Sequence, residues 1–422
     1  MNHKLLLDYE LATAQNGFVV RAMLKLEGQA PADVGRAPLN LALVLDRSGS
    51  MGGEKLDAAK DAVRFLLRRL SPDDSVALVA YDDIVDTLGT TAEGASITDL
   101  ARLAGGIDAG STTNLSGGWL RGRELVARAK REHRMNRVVL LTDGLANVGI
   151  SNPDQLTGLA ATAKRGGVTT TTIGFGADYD EALLRAMADA GGGNTWYIER
   201  PDQAPGVFEA EVEGLLSLAA QNVTVEIRPG AGARFVRVWH DYPVHVANGA
   251  GRVEIGDIYG REPKTILAEL FVPALLHDGD VDIGEVAIDA HVLTADGGVD
   301  HQHLTLPIRS PLSPAGNVEP EVRHEMLLVR AARAREESLR RGDAGDVAGA
   351  TRVLREMAEE LAAAPWATPT TAEHAADLMS IAEKMVQASF DAADAKYLAQ
   401  RAYNTHRAKG AYEAKLRRGP RP

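Results

Sequence analysis

The stretch LALVLDRSGSMGG, residues 41–53, joins a continuous apolar run to a short polar loop. Such a run is typical of a strand that is buried on both faces, as the strands of parallel sheets are. It ends at the carboxylate of Asp46, and the hydroxyls of Ser48 and Ser50 follow directly. Binding sites in open α/β sheets form where strands end at their carboxyl termini. We therefore expect these three side chains to face one point.

Strand-like and helix-like segments alternate on both sides of this stretch, from about residue 39 to residue 216. The runs LNLALVL, SVALVAY, RVVLLT, VTTTTIGF and NTWYIE predict strands, and segments such as EKLDAAKDAVRFLLRRL predict the helices between them. Repeated units of this kind form a mostly parallel sheet with helices on both faces. The segment Asp82–Leu88 predicts one more strand, antiparallel and at the edge. Residues 37–218 are thus expected to be one α/β domain.

The segments that flank this domain predict antiparallel strands. Residues 4–27 predict a hairpin with its turn at Gln15-Asn16-Gly17. Apolar and polar residues alternate again between residues 222 and 308, as strands do when one face is buried. An isolated hairpin is only marginally stable. We therefore expect residues 1–36 to pair with residues 219–312 in a β-sandwich, with the α/β domain inserted between them.

The rest of the chain predicts helices. A helix is expected over residues 201–221, leading into a strand that begins at Val223. Beyond a linker at residues 310–316, the segment 317–422 is rich in Ala, Glu, Arg and Leu. It predicts a C-terminal helical domain of three or four helices.

Composition restricts the function. The chain has 422 residues, a formal net charge of −12 and no cysteine. The acidic balance argues against a general nucleic-acid binder. The lack of cysteine excludes disulfides and zinc–thiolate sites and fits a reducing compartment. No apolar run approaches the roughly 20 residues that a membrane span needs, so we expect a cytoplasmic protein without a membrane partner.

The loop after Asp46 does not fit the phosphate-binding or nucleophile motifs of α/β proteins. It lacks both the glycine pattern of dinucleotide sites and the Gly-Lys-Ser/Thr of P-loops. An EF-hand loop beginning at Asp46 would need Gly and Glu where Met51 and Asp57 stand. A nucleophile elbow centred on Ser48 would need glycines where Asp46 and Ser50 stand. Hydroxyl and carboxylate oxygens together point instead to a hard cation, although capping of the next helix would explain this loop alone.

Two other loops offer ligands of the same kind. Gly110-Ser-Thr-Thr-Asn-Leu115 opens a helix and supplies a threonine hydroxyl from Thr112 or Thr113. Thr142-Asp143-Gly144 ends the next strong strand with a second carboxylate.

The residues of these three loops resemble motifs of the von Willebrand factor type A family. Asp46-Arg-Ser48-Gly-Ser50 resembles the Asp-x-Ser-x-Ser motif of that family, Thr113-Asn-Leu its isolated threonine, and Thr142-Asp143-Gly144 its Asp-Gly. These residues correspond to the metal-ion-dependent adhesion site. The resemblance covers about 180 residues and departs from the usual Gly-Thr-Asn-Leu at Thr112, which is a competing choice for the hydroxyl. The resemblance favours Thr113, because Asn-Leu follows it. It implies that Ser48, Ser50 and Thr113 bind Mg²⁺, or Mn²⁺ or Ca²⁺, through hydroxyls, with Asp46 and Asp143 acting directly or through water.

The resemblance also implies function. The expected function is a non-catalytic scaffold or adaptor whose cation binds an Asp or Glu of a protein partner. The alternative is an accessory subunit of an AAA-type ATPase machine of the chelatase kind. A metal-assisted hydrolase is disfavoured, because the three loops contain no His or Lys that could act as a base.

One further pattern lies outside the α/β domain. Asp300-His301-Gln302-His303 places two imidazoles on one face of a predicted strand, as a zinc site would require. No third ligand stands out in the sequence, so we interpret the segment as the polar outer face of the sandwich.

Overall fold

The computed structural model describes residues 1–9, 17–28, 38–130, 134–176, 179–230, 232–260, 263–273, 281–293, 299–310 and 316–407. It divides the chain into two compact units. The first, here called the α/β unit, consists mainly of Ala32–Leu218. The second, here called the β/helical unit, contains Met1–Pro31, Ala219–Leu293 and Val299–Pro422.

The elements follow in chain order. The strands are β1 (Asn2–Tyr9), β2 (Phe18–Glu27), β3 (Leu39–Asp46), β4 (Ser75–Tyr81), β5 (Val85–Thr90), β6 (Met135–Thr142), β7 (Thr169–Phe175), β8 (Gly192–Ile198), β9 (Leu218–Pro229), β10 (Arg234–Val238), β11 (Val244–Ala247), β12 (Ala250–Tyr259), β13 (Lys264–Val272), β14 (Val281–Leu293) and β15 (Val299–Ser310). The helices are α1 (Glu54–Arg68), α2 (Ile97–Gly105), α3 (Leu115–Arg128), α4 (Pro153–Arg165), α5 (Glu181–Gly191), α6 (Ala204–Leu216), α7 (Pro320–Asp343), α8 (Val347–Ala363), α9 (Pro369–Val386) and α10 (Ala392–His406).

A six-stranded sheet forms the centre of the α/β unit. Its order is β5-β4-β3-β6-β7-β8, and every pair is parallel except β4 with β5. The predicted extra strand is therefore confirmed as an antiparallel edge strand. All eight residues of β3 are buried, because helices flank the sheet and leave no polar face to solvent. The carboxyl ends of β3, β4 and β6 consequently meet at one edge of the sheet.

Two antiparallel sheets form the strand part of the β/helical unit. Their orders are β1-β2-β13-β10 and β11-β12-β9-β14-β15. The alternating residues that predicted these strands, among them Val223, Val225, Ile266 and Leu270, are buried in one hydrophobic core to which both sheets contribute. The N-terminal strand β2 pairs with β13 from Phe18, opposite Val272, to Leu26, opposite Lys264.

Helix α7 covers the other face of the first sheet. Met23 of β2 and Leu267 of β13 pack there against Val322 and Met326. These strands are thus buried on both faces, which explains why Leu267 is apolar although it breaks the alternation of β13. Helices α7, α8 and α9 share a second core with Leu398 of α10. The predicted C-terminal helical region is confirmed, with four helices, and it falls in the same compact unit as the two sheets.

One boundary prediction was wrong. The helix expected over residues 201–221 ends at Leu216, and β9 begins at Leu218 rather than Val223. The amide of Ser217 closes the helix by bonding to the carbonyls of Glu213 and Gly214. Ala219 and Ala220 are helix formers by propensity, but they are buried in strand β9, because tertiary packing overrides a weak local preference.

Some predictions fall on residues outside the described part of the chain. Most of the predicted turn at Gln15-Asn16-Gly17 and most of the predicted linker at residues 310–316 belong to this group. No helix among the described residues is long and apolar enough to cross a membrane.

The histidine pair lies on an exposed face of β15, as the interpretation of a polar outer face requires. The side chains of His301 and His303 are 58% and 50% exposed. The register places His291 and Asp289 of β14 directly opposite them, and His303 Nδ1 lies 2.9 Å from the Asp289 carboxylate. In the described residues, however, no three His, Cys, Asp or Glu side chains are grouped so that they could hold a metal ion.

Candidate metal centre

Asp46 lies at the centre of the polar cluster at the carboxyl edge of the sheet. Its side chain is completely buried at the end of β3. Its Oδ1 accepts a hydrogen bond of 2.8 Å from the Ser48 amide, and its Oδ2 accepts one of 2.6 Å from the Thr142 hydroxyl. Burial raises the pKa of the Asp46 carboxyl above its ordinary value, and these hydrogen bonds offset only part of the rise. Asp46 thus joins the loop after β3 to the end of β6.

A chain of hydrogen bonds connects the two serines to the second carboxylate. The hydroxyls of Ser48 and Ser50 are 3.2 Å apart, and the Ser50 hydroxyl donates to Asp143 Oδ1 at 2.7 Å. Ser48 and Asp143 are buried, whereas Ser50 is exposed. The cluster is therefore buried on its side toward the sheet and reaches solvent at Ser50.

Thr113 approaches the same cluster from the loop before α3. Its side chain is buried, and its hydroxyl makes no hydrogen bond to any described residue. A Cβ placed on Gly144 would lie 3.1 Å from Thr113 Oγ1 and 3.8 Å from Ser50 Oγ. Glycine at position 144 thus keeps open the space between these hydroxyls. Thr112, the competing threonine, is exposed.

Backbone hydrogen bonds fix the loops on which these residues lie. We call residues 46–53, 110–115 and 142–149 the site loops. The amide of Gly49 donates to the carbonyl of Ser111 at 2.8 Å, and the amide of Gly110 donates to the carbonyl of Arg47 at 2.6 Å. The amides of Asn147 and Val148 both donate to the carbonyl of Thr113 at 3.1 Å. Each site loop is therefore held by a neighbouring one.

An ion pair reinforces this frame at its outer side. Arg47 contacts the carboxylates of Asp82 and Asp86 at 3.1 and 2.6 Å, and Asp82 also accepts from the amide of Ser111 at 3.3 Å. Burial raises the pKa of Asp82, but the hydrogen bonds from the Ile84 amide and Arg47 outweigh it, and the pKa lies below its ordinary value. Asp82 therefore serves as an ionised support for the loop that carries Thr113.

Lys55 is a further residue at the site, and the motifs in the sequence did not point to it. It lies in the first turn of α1, just beyond the first site loop, and its Nζ donates to Asp143 Oδ2 at 2.6 Å. The expectation that the three loops contain no His or Lys concerned the loops alone, and Lys55 reaches Asp143 from the helix that follows the first of them. Its position in the sequence could have indicated this contact. Lys55 lies at the start of the helix that follows the first site loop, and the first turn of such a helix lies beside the end of the preceding strand.

The structure brings all five predicted residues together, and their chemistry fits a hard divalent cation. The group consists of three neutral hydroxyls and two carboxylates. These residues are Asp46, Ser48, Ser50, Thr113 and Asp143. Oxygen donors of these types suit Mg²⁺, Mn²⁺ and Ca²⁺, and the set lacks the thiolate and imidazole ligands that softer metals prefer.

Comparisons with known proteins identify the family of the α/β unit. Residues 40–210 match the family model of the von Willebrand factor type A domain. The uncharacterized protein sll0103 of Synechocystis is 29% identical over 340 residues, which cover 77% of this chain and 79% of that protein. The uncharacterized protein YfbK of Escherichia coli is 28% identical, over 55% of this chain and only 41% of its own length.

A solved structure shares the fold over nearly the whole chain. The von Willebrand factor type A protein from Catenulispora acidiphila superposes with a TM-score of 0.70 at 20% identity. The match covers 91% of this chain and 89% of that one. Residues 40–210 of the chain therefore form a von Willebrand factor type A domain.

Proposed function

We propose that the chain is a non-catalytic protein-interaction protein that binds an acidic residue of its partner through a divalent cation. Domains of this family are typically protein-interaction modules. The observation that carries the proposal is the convergence of Asp46, Ser48, Ser50, Thr113 and Asp143 at one edge of the sheet. These residues would hold Mg²⁺, or Mn²⁺ or Ca²⁺.

The donor set explains why such a cation would bind an outside carboxylate. Three of the five side chains are neutral hydroxyls, which donate less charge to a cation than carboxylates do. A cation held in this way stays strongly electrophilic. Because the cluster reaches solvent at Ser50, an Asp or Glu of a partner can approach it there.

The surface around the site supports a protein partner. Among the described residues of the α/β unit, the large apolar side chains that are exposed are Ile84, Leu145 and Val148, at 59%, 51% and 36%. Leu145 and Val148 belong to a site loop, and Ile84 donates its amide to Asp82, which also holds the amide of Ser111. Exposed apolar side chains gathered at one place are typical of interaction surfaces.

The residues of the site argue against a hydrolase. The site loops contain no histidine. Lys55 is the lysine that reaches the cluster, and it is engaged by Asp143. A hydrolytic mechanism would need a group that accepts a proton from the attacking water, so we assign the cation to binding.

The chain connectivity supports the proposed domain organisation, in which the α/β domain of residues 37–218 is inserted into a β-sandwich. Strand β2 precedes this domain and pairs with β13, which follows it. Strand β9 begins directly after α6. We keep 1–36 and 219–312 as the two parts of the sandwich and 317–422 as the helical region.

Cation titration of the full chain tests the proposal. The Asp46→Ala, Ser48→Ala double variant should lose measurable Mn²⁺ and Mg²⁺ binding by calorimetry and keep its circular dichroism spectrum. Ser96 and Asp99 provide a matched control, since they form the capping box of α2 outside the site loops. The Ser96→Ala, Asp99→Ala variant should bind like wild type. Wild-type affinity in the first variant would disprove the site.

Partner capture tests the second half of the proposal. The full chain is used as bait in a lysate, with and without EDTA, beside the Asp46→Ala, Ser48→Ala variant. Partners that use the cation should be lost in EDTA and with the variant. Recovery of an AAA-type ATPase would favour the accessory-subunit alternative, and partners retained equally in EDTA would show that another surface is used.

A further inference from the structure

The charge of the cation site depends on a residue that the ligand motif does not include. Asp46 and Asp143 contribute two buried carboxylates, and the three hydroxyls are neutral. The ammonium of Lys55 lies 2.6 Å from Asp143 Oδ2, while Ser50 donates to Oδ1 of the same carboxylate. Both oxygens of Asp143 are thus engaged, one of them by a full positive charge.

The Lys55 side chain passes close to the backbone that follows β7. A Cβ on Gly176, at the end of β7, would lie 3.4 Å from Lys55 Nζ. Gly176 has a φ of +75°, a conformation that side chains rarely adopt. The Lys55 side chain is 29% exposed, whereas Asp143 is fully buried. Lys55 therefore reaches from a partly open surface to a carboxylate that has no contact with bulk water.

We propose that Lys55 sets the charge of the site, weakening its affinity for the cation and strengthening the hold of the loaded site on a partner carboxylate. This inference rests on the proposed function. With Lys55, the two carboxylates and the ammonium give a net charge of −1, and a divalent cation brings it to +1. Without Lys55, the same site changes from −2 to 0.

These charges act in opposite directions on the two binding steps. A site of charge −2 attracts a divalent cation more strongly than a site of charge −1, and the difference is large where water is excluded. A loaded site of charge +1 attracts a carboxylate, whereas a neutral loaded site does so only through the local field of the cation. A neutral substitution of Lys55 should therefore strengthen cation binding and weaken the binding of a partner carboxylate.

A purely positioning role for Lys55 makes a different prediction. If Lys55 only held Asp143 in place, any substitution that disturbs the contact would weaken cation binding. Lys55→Arg retains the charge, Lys55→Gln keeps a hydrogen-bond donor without charge, and Lys55→Met removes both. Using two neutral variants also guards against a fold defect in one of them.

The experiment uses the full chain with Mn²⁺ as the cation and acetate as the carboxylate probe. Calorimetry measures Mn²⁺ affinity, and water-proton relaxation of the Mn²⁺-loaded protein measures acetate binding through the loss of bound water. We expect Lys55→Gln and Lys55→Met to bind Mn²⁺ about tenfold more tightly or better and acetate several-fold more weakly, with Lys55→Arg close to wild type. Lys60→Met is the control, because Lys60 lies on the same helix and contacts Asp57.

The outcomes separate this inference from the function on which it rests. If wild type binds Mn²⁺ and both neutral variants bind it equally or more weakly, the inference about Lys55 is wrong and the cation site stands. If wild type binds no Mn²⁺ but a neutral variant does, the inference is supported. If neither wild type nor the variants bind Mn²⁺, the proposed function and the inference are both overturned.

Discussion

The buried ion pair between Arg137 and Glu211 gives the sharpest test of how α6 is held. Glu211 lies in the middle of α6 and is 1% exposed. Its Oε1 accepts from Arg137 at 3.2 Å and from Thr171 at 2.7 Å, and its Oε2 accepts from Asn194 at 2.9 Å and Trp196 at 2.8 Å. The Glu211 carboxylate thus links α6 to strands β6, β7 and β8 through hydrogen bonds.

The change Glu211→Gln keeps the shape of the side chain and removes its charge. The new amide nitrogen is a donor that faces donors, and the buried Arg137 loses the negative charge that it contacts at Glu211. Breaking one partner of a buried ion pair costs about 3–5 kcal/mol. The melting temperature of a domain of this size falls by roughly 2–4 °C for each kcal/mol of lost stability. The melting temperature of the variant should therefore be roughly 6–20 °C lower than that of wild type.

Glu209→Gln is the matched control. Glu209 lies on the same helix, and its contact with Arg69 is long, at 3.5 Å, and exposed on both sides. An exposed pair of this kind contributes about 0–1 kcal/mol. Thermal melts followed by circular dichroism compare the two variants with wild type. A Glu211→Gln melt that coincides with the control would refute the argument that α6 is fastened by its buried carboxylate.

The same carboxylate predicts a pH dependence. Burial raises the pKa of Glu211, but Arg137 and the three other donors outweigh burial, so the pKa lies below its ordinary value. The stabilisation is therefore complete above the pKa of the unfolded chain, about 4.3, and is lost as the pH falls through the lower folded-state pKa. The difference in stability between wild type and Glu211→Gln should narrow below about pH 4.

Three further predictions concern the site and the strands. Gly144→Ala should weaken Mn²⁺ affinity by about 10- to 100-fold in calorimetry, the usual range for disturbing the surroundings of a metal. The reason is that the added methyl group approaches Thr113 Oγ1. Unchanged affinity would mean that the cation does not use the space beside Gly144. Deleting residues 1–35 removes β2 from inside its sheet and should cause aggregation in light scattering, whereas a deletion as stable as the full chain would separate the hairpin from the sandwich. Hydrogen exchange with Mn²⁺ should change in the site loops and not in α6, because we expect cation binding to leave this helix in place. Altered exchange across α6 would contradict that expectation.

The sequence alone was sufficient for the local features of the α/β unit. The apolar run before Asp46 predicted a strand buried on both faces because no polar residue interrupts it, and the structure buries every residue of β3. The order of strands and helices predicted a mostly parallel sheet, since parallel strands need crossovers. The rule that sites form at the carboxyl ends of strands then placed Asp46 and Asp143 at one edge, although their candidate role as ligands remains a proposal.

Contacts between residues far apart in sequence were decided only by the tertiary structure. Glu211 is one of several glutamates in an amphipathic stretch, and nothing local shows that Arg137 is its partner. The same holds for Lys55, which reads as an ordinary residue of a helix surface until the packing of α1 brings it to Asp143. The end of α6 at Leu216 also depends on packing, because Ala219 and Ala220 favour helix locally but are buried in β9. Residue types and their spacing determine which local structures can form, whereas the identity of a charge's partner depends on distances that exist only after the chain has folded.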